Sequence, residues 1–291
     1  MTEELIGIIG GSGLGDELAK HISGGKYHKI DTPFGKPSTP VLLGKIGKRQ
    51  IAFLNRHGKG HIFSPSKVPY AANIFAFKKL GVHTIISSGA VGSLQEKIAP
   101  GNLAIVDQLI DKTFKRQNTF FDDFGAVHCE LAHPLCDRLR KQLYLASKNI
   151  KIKTHPDAAY ICMEGPQFST RAESLMHRKW GGDLIGMTAM PEAKLAREAQ
   201  ICYCLIALAS DYDCWRPHEA KKDKQTLLKE ILSNLNMATN NCIELIKAVL
   251  NSDADLVCEH CQCRKSLDLA VWTAPNEINP ALRKKLKILF E

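Results

Sequence analysis

The sequence alternates short apolar segments with glycine-rich turns and longer amphipathic segments, and this alternation constrains the fold most. Residues 5–9, 83–88 and 201–209 are rich in apolar and β-branched side chains and predict buried strands. Residues 224–250 carry leucine, isoleucine and valine at helical spacing and predict a long amphipathic helix. The pattern therefore predicts an α/β fold, in which ligands bind at the carboxyl ends of the strands.

Further elements and a boundary follow from the same pattern. Strands are predicted at residues 41–43, 50–54, 103–106 and 158–163, and helices at residues 66–80, 133–149 and 191–200. Ser66 can cap the first of these helices, and Pro191 can occupy the first turn of the last. The prediction divides the chain into a main domain, residues 1–250, and a C-terminal appendage, residues 251–291, with a cysteine cluster and a short helix.

The first predicted strand is followed by a glycine-rich loop, residues 10–15. Consecutive glycines let backbone N–H groups turn toward an anion, and Ser12 adds a hydroxyl donor. The loop lacks the spacing of a dinucleotide site, because Asp16 takes the place of the last glycine, and it lacks the Gly-Lys-Ser/Thr of a P-loop. Two interpretations stay open: an anion site, or an ordinary turn between a strand and a helix.

Basic and histidine residues follow the strand predicted at residues 50–54. Arg56 offers a planar fork for phosphate oxygens. His57 and His61 have the spacing of metal ligands on a helix, but the two glycines between them disfavour a helix. A phosphate loop or an exposed basic loop is therefore favoured over a metal site.

Later motifs carry side chains that suit a base, a sugar and a proton transfer. Phe168 can stack on a planar ring or pack in the core, and Met187 and Thr188 can contact a sugar and a phosphate or fill the core. Asp211 and Asp213 come directly after a predicted core strand. In a partly dry pocket such a carboxyl group has a raised pKa and can donate a proton, whereas in water the pair is only an acidic turn.

The net charge of +9 is concentrated in residues 1–120, which hold 16 Lys and Arg against eight Asp and Glu. No block of five consecutive basic residues occurs there, which argues against a nucleic-acid-binding arm. An anionic small molecule explains the sign of this region better than a polyanion does.

The expected compartment follows from what the sequence lacks. No apolar run reaches the roughly 18 residues that cross a bilayer, and residues 1–5 do not have the basic start of a secretory signal. We expect a cytoplasmic protein without a membrane partner, and reduced thiols at most of the ten cysteines.

Residues 258–263 include three cysteines, Cys258, Cys261 and Cys263, and one histidine, His260. It leaves three interpretations open: a zinc site, a disulfide, or reduced thiols that cap the long helix. Four ligands this close in sequence strain a tetrahedral site. Reduced thiols are therefore favoured, and no metal is expected.

Six motifs, in order, resemble those of the purine nucleoside phosphorylase family, and within it the members that act on S-methyl-5′-thioadenosine. They are residues 8–14, 31–38, 56–58, 164–169, 187–188 and 211–215. The similarity covers roughly residues 5–250. It implies a single α/β domain with a central mixed β-sheet, partly barrel-like and flanked by helices. Residues 1–250 would then be the catalytic domain.

The resemblance implies a pentosyltransferase, a glycosyltransferase that serves purine and methionine salvage. The reaction would be phosphorolysis of S-methyl-5′-thioadenosine to adenine and 5-methylthioribose 1-phosphate. Inorganic phosphate would be a co-substrate, and no metal or organic cofactor would be required. Because phosphate itself attacks C1′, no serine or cysteine nucleophile is needed.

The resemblance also implies residue roles. The phosphate-binding residues would be Ser12, Arg56, His57, Ala90 and Thr188. Phe168 and Ser169 would contact the base, and Met187 would lie under the ribose. Asp211 would protonate or hydrogen-bond N7 of the leaving base, and Asp213 would help to hold the 6-amino group.

Members of this family are typically trimers whose active sites borrow a residue from the neighbouring subunit. His128 matches that position and would reach the 5′ substituent of the adjacent ligand. We therefore expect a homotrimer, or a hexamer, with active sites at the subunit interfaces.

One departure from the family lies in the phosphate site. Gly89 stands where the family commonly offers a phosphate-binding hydroxyl. Either the hydroxyl of Ser88 or the backbone N–H of Ala90 would then take that contact.

Other departures lie near the 5′ substituent and in the tail. Lys224 stands where animal members have an aliphatic residue, and a charged ammonium packs poorly against a thioether. Either the helix is rotated, or Leu227 and Leu228, with the tail, form the 5′ pocket. The tail from Val257 onward is more like prokaryotic members than animal ones.

Two other functions remain open. A purine nucleoside phosphorylase acting on methylthioinosine, inosine, guanosine or adenosine would share these motifs. A 6-oxopurine, however, requires an amide where Asp211 and Asp213 stand. The alternative of another class is a non-catalytic protein that binds nucleotides or nucleic acid, which predicts salt-sensitive binding to oligonucleotides and no adenine release.

Overall fold

The computed structural model describes residues 4–216 and 223–291, so part of the N-terminal segment considered as a signal lies outside it. The strands are β1 (Leu5–Gly10), β2 (Ser23–His28), β3 (Val41–Ile46), β4 (Arg49–Asn55), β5 (Thr84–Ser93), β6 (Leu103–Ile105), β7 (Gln108–Lys112), β8 (Thr154–His155), β9 (Ala159–Met163), β10 (Leu184–Gly186) and β11 (Cys202–Asp211). The helices are α1 (Leu14–Ala19), α2 (Tyr70–Lys79), α3 (Asp137–Asn149), α4 (Arg171–Lys179), α5 (Ala189–Glu198), α6 (Lys224–Asn251) and α7 (Pro280–Leu286). Short 3₁₀ helices span Pro65–Lys67, Gln262–Lys265 and Lys287–Phe290.

The strands form one mixed and branched sheet. Its main path runs β2-β3-β4-β1-β5-β10-β9-β7, while β11 pairs with β5 and β6, and β6 pairs with β8. Strands β1, β4, β5 and β11 are parallel, whereas β10 runs antiparallel to β5. The predicted α/β class with a central mixed sheet and flanking helices is confirmed.

Apolar side chains fill a core on each face of the sheet, because successive strand residues point to opposite sides. In β1, Ile6 and Ile8 join the core beneath α3 and α6, and Ile9 joins the core beneath α2 and α5. No helix in the described ranges combines the length and the apolar character needed to cross a membrane.

The segment after α6 contributes to both cores. Leu256 and Cys263 are buried with the α6 side, and Leu267, Leu286 and Leu289 are buried with the α5 side. The division at residue 250 stays a prediction. The packing shows that apolar burial on both faces holds this tail against the sheet.

The helix predicted over residues 66–80 begins only at Tyr70, and the prediction that Ser66 caps it is wrong. Pro69 occupies the position before the helix, and Ser66 lies in a 3₁₀ turn. The Ser66 hydroxyl donates instead to a carboxylate oxygen of Glu164. Ser66 therefore ties this turn to the loop after β9.

Two differences concern strands. The strand predicted at residues 83–88 continues to Ser93, because β11 pairs with it along almost its whole length. Strand β2 was not predicted, since every one of its residues is exposed and shows no apolar alternation. Its place in the sheet comes from backbone pairing with β3.

Candidate active site

One edge of β5 is shared by two strands and is left open between them. Strand β1 pairs with residues 84–87, and β10 pairs with residues 92–93. The glycine loop after β1 enters at this opening, where the Gly11 N–H donates to Ser88 Oγ at 3.3 Å. A Cβ on Gly11 would lie 2.5 Å from the Ser88 carbonyl oxygen and 3.1 Å from Gly89 Cα. Only glycine allows this approach.

Arg56 follows β4 and is fully buried beside the glycine loop. Its Nε and Nη2 donate to the two carboxylate oxygens of Glu192 at 2.7 and 2.9 Å. Its Nη2 also donates to Ser87 Oγ at 2.5 Å, and Nη1 donates to the Ser88 carbonyl at 2.8 Å. Burial alone would lower the pKa of Arg56, but Glu192 outweighs it, and the pKa is raised. The guanidinium is a fixed cation.

Glu192 organises this cluster, and sequence analysis missed it. Besides the arginine fork, its Oε1 accepts the hydroxyls of Ser87 at 2.6 Å and Tyr203 at 2.8 Å. The carboxylate is fully buried. A glutamate directly after Pro191, within an otherwise apolar helix start, was the available signal, because a charge there needs a partner.

His57 is held neutral in one tautomer. Its Nδ1 bonds the Phe63 carbonyl at 2.8 Å, which makes Nδ1 the protonated nitrogen and Nε2 an acceptor. Burial and the charge of Arg56 lower the pKa of His57 to about 4. The ring stacks on His61, with centroids 4.0 Å apart. Among the described residues, neither histidine belongs to a group of three or more potential metal ligands.

Thr188 lies opposite Gly89 of β5, next to the cluster formed by Arg56 and the glycine loop. It lies at the start of α5, and its N–H donates to the hydroxyl of the buried Tyr160 at 3.3 Å. A Cβ on Gly89 would lie 3.5 Å from Thr188 Oγ1. The structure thus brings together the loop that carries Ser12, Arg56, Thr188 and the β5 segment that carries Ala90.

The two aspartates meet where β11 ends. Asp211 Oδ2 accepts the Ser210 hydroxyl at 2.6 Å, and Oδ1 accepts the Asp213 N–H at 2.7 Å. A Cβ on Gly92 would lie 3.2 Å from Asp211 Oδ1 and 3.1 Å from Asp213 Cβ. Burial raises the pKa of Asp211, although these hydrogen bonds oppose the rise. Asp213 Oδ2 is buried and accepts no hydrogen bond from the described residues.

Arg116, also missed from the sequence, joins two of the predicted motifs. Its guanidinium donates to the Met187 carbonyl at 2.6 Å and to the Glu164 carbonyl at 2.7 Å. Burial would raise the pKa of Glu164, but hydrogen bonds from Ser66, Phe114 and neighbouring donors lower it to about 2. Arg116 therefore fixes the backbone from which Met187 projects.

Phe168 and Ser169 lie on the open side of the site. Phe168 is 86% exposed, so it is not a core residue. The Ser169 carbonyl accepts from Cys214 Sγ at 3.3 Å, directly after the acidic pair. This contact brings the loop after β9 to the end of β11.

Among the described residues, no hydrogen bond or ring contact joins His128 or Leu228 to this cluster. His128 is exposed, its N–H donates to the Ala270 carbonyl at 2.9 Å, and its ring meets Trp272 with centroids 5.1 Å apart. Leu228 is 57% exposed in the second turn of α6, close to the exposed Lys224. Both side chains are thus available to a ligand or a neighbouring subunit.

The carboxyl ends of β1, β4, β5 and β11 therefore present donors for an anion at one end and a carboxyl pair at the other. That arrangement defines an α/β enzyme that brings an anion to a second small molecule. Residues 5–251 match the model of the phosphorylase superfamily, and the chain belongs to this family. The family predicted from the motifs is confirmed.

Relatives of known name agree with this assignment. The chain is 44% identical to the S-methyl-5′-thioadenosine phosphorylase of Cereibacter sphaeroides, over 97% of this chain and 96% of that protein. It is 45% identical to the enzyme of the same name from Xenopus tropicalis, over 85% of this chain and 90% of that protein.

Solved structures show the same similarity. A methylthioadenosine phosphorylase from an Antarctic soil metagenomic library superposes with a TM-score of 0.89 at 40% identity, with both chains fully covered. The methylthioadenosine phosphorylase of Schistosoma mansoni in complex with adenine gives a TM-score of 0.77 at 34% identity, over 85% of this chain and 91% of that one.

Proposed function

We propose that this chain is a pentosyltransferase that catalyses the phosphorolysis of S-methyl-5′-thioadenosine, releasing adenine and 5-methylthioribose 1-phosphate. The layout of β5 carries the proposal. Anion donors gather around Gly89, and the acidic pair lies against Gly92, three residues further along the same strand. Three strand residues span about 10 Å, which leaves room for a pentose between a phosphate and a base. The names of the relatives support this substrate.

At the anion end, inorganic phosphate is the nucleophile. Four of the five N–H groups of Arg56 bond protein acceptors. The remaining N–H is on Nη1, which lies beside the glycine loop, 2.7 Å from where a Cβ on Gly11 would be. The hydroxyls of Ser12 and Thr188 and the N–H of Ala90 complete the phosphate contacts. His57, with only Nε2 free as an acceptor, binds a protonated phosphate oxygen. These fixed donors hold phosphate beneath C1′ without reorganising.

At the base end, Asp211 is the catalytic acid. Cleavage of the glycosidic bond develops positive charge on the ribose and negative charge on the base. Phosphate stabilises the first, and a proton from Asp211 at N7 stabilises the second. The raised pKa of this buried carboxyl suits a proton donor. Phe168 and Ser169 flank the base, and Met187 lies under the ribose.

The carboxylate of Asp213 favours a 6-aminopurine over a 6-oxopurine. Its buried Oδ2, which accepts no hydrogen bond from the described residues, requires a donor. The 6-amino group of adenine supplies one, whereas a 6-oxo group would place an acceptor against it. This observation argues against inosine or guanosine as the preferred substrate.

We further propose that the chain acts in the cytoplasm as a homotrimer, with a hexamer as the alternative. The exposed His128 reaches the 5′ substituent bound by the adjacent subunit, and Leu228 lines that pocket. The exposure of these two side chains supports this assignment. By resemblance to the family, the proposed reaction needs no metal or organic cofactor. It needs no serine or cysteine nucleophile either, because phosphate is itself the nucleophile.

The test is to incubate the protein with S-methyl-5′-thioadenosine, with and without phosphate, and to measure the release of adenine by chromatography. We expect release only with phosphate, together with 5-methylthioribose 1-phosphate. Free methylthioribose instead of its phosphate ester would indicate a hydrolase. Oligonucleotide binding without adenine release would support the non-catalytic alternative. Light scattering of the protein measures whether three or six chains associate.

A further inference from the structure

Four cysteine sulfurs converge outside the active site. The Sγ atoms of Cys136, Cys202, Cys261 and Cys263 all lie within 4.8 Å of one another. The distance between Cys136 Sγ and Cys261 Sγ is 3.8 Å. Three of these side chains are buried, and Cys261 is partly buried. All four are free thiols in the structure.

The four ligands come from three separate parts of the fold. Cys136 immediately precedes α3, and Cys202 is the first residue of β11. Cys261 precedes the 3₁₀ helix Gln262–Lys265, and Cys263 lies within it. Rigid elements therefore hold two of the sulfurs, and the tail brings the other two to them.

The sulfur spacing fits a tetrahedral metal site. A Zn–S bond of about 2.3 Å with tetrahedral angles places neighbouring sulfurs about 3.8 Å apart. A disulfide would require a sulfur separation of about 2.05 Å. We propose that Cys136, Cys202, Cys261 and Cys263 bind one structural zinc ion that fastens the tail to the catalytic domain.

The surroundings suit the charge of such a site. Zinc with four thiolates carries a net charge of −2, and each thiol gives its proton to solvent when its Zn–S bond forms. The Arg138 guanidinium donates to Cys202 Sγ at 3.9 Å. This cation next to the sulfurs partly offsets the negative charge.

The site has a structural consequence beyond its ligands. From Cys263 the tail continues to a segment that bonds the loop around His128. The Trp272 N–H donates to the Ala126 carbonyl, and the His128 N–H donates to the Ala270 carbonyl, both at 2.9 Å. Zinc would thus hold the segment that positions the loop of His128.

From the sequence alone, the candidate ligands lie within residues 258–263, and their crowding favours reduced thiols over a zinc site. The fold leaves Cys258 and His260 out of the group and supplies Cys136 and Cys202 from far along the chain. The strain of four neighbouring ligands does not arise.

The first test is the metal content of the full-length protein, purified under reducing conditions from cells grown with zinc. Inductively coupled plasma mass spectrometry should find about one zinc ion per chain. X-ray absorption spectroscopy should show four sulfur neighbours at about 2.3 Å from the zinc. Substituted Co²⁺ should give the visible spectrum of a tetrahedral thiolate site. Removal of the metal should lower the melting temperature by on the order of 10 °C.

Matched serine variants locate the site. Cys261→Ser should lose the zinc, whereas Cys258→Ser, three residues away and outside the group, should keep it. If Cys261→Ser does not fold, the metal content and the Co²⁺ spectrum of the wild-type protein still show whether a four-cysteine zinc site is present. A reduced wild-type protein that binds no added Zn²⁺ would overturn the proposal, as would disulfides among the four cysteines found by alkylation, or loss of zinc from Cys258→Ser.

Discussion

The two ends of the active site are built differently. At the phosphate end, Arg56 and Glu192 are fully buried, and the two oxygens of the carboxylate bond the arginine fork. At the base end, Phe168 is 86% exposed and a buried oxygen of Asp213 accepts no hydrogen bond from the described residues. The described residues complete the first end with one another, whereas the second end leaves an exposed ring and an acceptor without a hydrogen bond for the proposed ligand.

Because of this difference, substitutions at the two ends should affect the stability and the activity of the protein to different extents. Substitutions at the phosphate end disrupt a buried ionic network and should reduce the free energy of unfolding as well as activity. Substitutions at the base end alter hydrogen bonds between neighbouring residues, such as those of Asp211 with Ser210 and Asp213, but break no buried ion pair. They should therefore reduce activity much more than stability.

The largest effect is expected for Asp211→Asn. Loss of the acid that faces N7 should lower kcat/KM for S-methyl-5′-thioadenosine by about 10²–10⁴-fold. The melting temperature and the KM for phosphate should change little. Steady-state kinetics with both substrates varied, together with thermal unfolding, measures all three quantities.

The same variant tests base selectivity. An amide donates to a 6-oxopurine, so Asp211→Asn should shift the ratio of kcat/KM values toward inosine. Asp213→Asn should cost less activity, because the N7 acid remains, and it should also shift the ratio toward inosine, because an amide replaces the carboxylate that favours a 6-amino group. An equal loss on both nucleosides would contradict the assignment of Asp211.

Glu192→Ala should have the largest effect on stability. It leaves the buried Arg56 cation without its carboxylate and removes the acceptor of Tyr203. Breaking a buried ion pair in this way costs about 3–5 kcal/mol. Urea unfolding of Glu192→Ala, Arg56→Met and the double variant measures the coupling. The double variant should lose less than the sum of the two single losses, and additive losses would show that the pair is not coupled.

His57 adds a pH dependence to the phosphate end. Its pKa is lowered to about 4 by burial and by Arg56, while an unfolded histidine titrates near its ordinary value of 6.5. Between these values the unfolded chain binds more protons, so stability rises with pH and is lost as pH falls from 6.5 toward 4. The full contribution is on the order of 3 kcal/mol.

His57→Asn is the matched control, because its amide can still donate to the Phe63 carbonyl but does not titrate. Urea unfolding of both proteins between pH 7 and pH 4.5 should show a steeper loss for the wild type. The other buried histidines contribute equally to both proteins. Parallel curves would mean that His57 is not held neutral by the fold.

Much of the fold was predictable because β1, β5 and β11 are apolar runs ended by glycine or polar residues. The ends of parallel strands meet, so the motifs after them had to come together. Strand β2 was not predictable, because pairing with β3, rather than apolar burial, sets its place. The late start of α2 reflects Pro69 and the bond from Ser66 to Glu164.

The motifs supplied the candidate ligand-facing residues, whose roles stay predictions, but they did not supply the residues that support them. Arg56 follows a strand in a recognisable motif, but its partner Glu192 lies 136 residues away. The same limit applies to the proposed zinc site, where Cys136 Sγ lies 3.8 Å from Cys261 Sγ although the two residues are 125 positions apart in the sequence. Local spacing cannot show such pairs, because the fold alone brings them together.

The smallest expected effects come from substitutions at two glycines of β5, Gly89 and Gly92. These glycines lie three residues apart, one at the phosphate end of the site and one at the base end, so they test whether the two ends act independently. A Cβ at Gly89 would meet only Thr188 Oγ1, at an ordinary contact distance of 3.5 Å. Gly89 therefore has room for a Cβ, and we expect Gly89→Thr to add a hydroxyl at the phosphate end. One further hydrogen bond, worth about 1 kcal/mol, should lower the KM for phosphate about fivefold.

Gly92→Ala is the matched change at the base end. Its Cβ would lie 3.2 Å from Asp211 Oδ1 and 3.1 Å from Asp213 Cβ, so the acidic pair must move. We expect kcat/KM for the nucleoside to fall about tenfold while the KM for phosphate is kept, since misplaced groups lose catalytic geometry. Initial rates with each substrate varied in turn separate the two variants. If both variants changed the same KM, the two ends would not be independent, because one strand would be transmitting each change to the other.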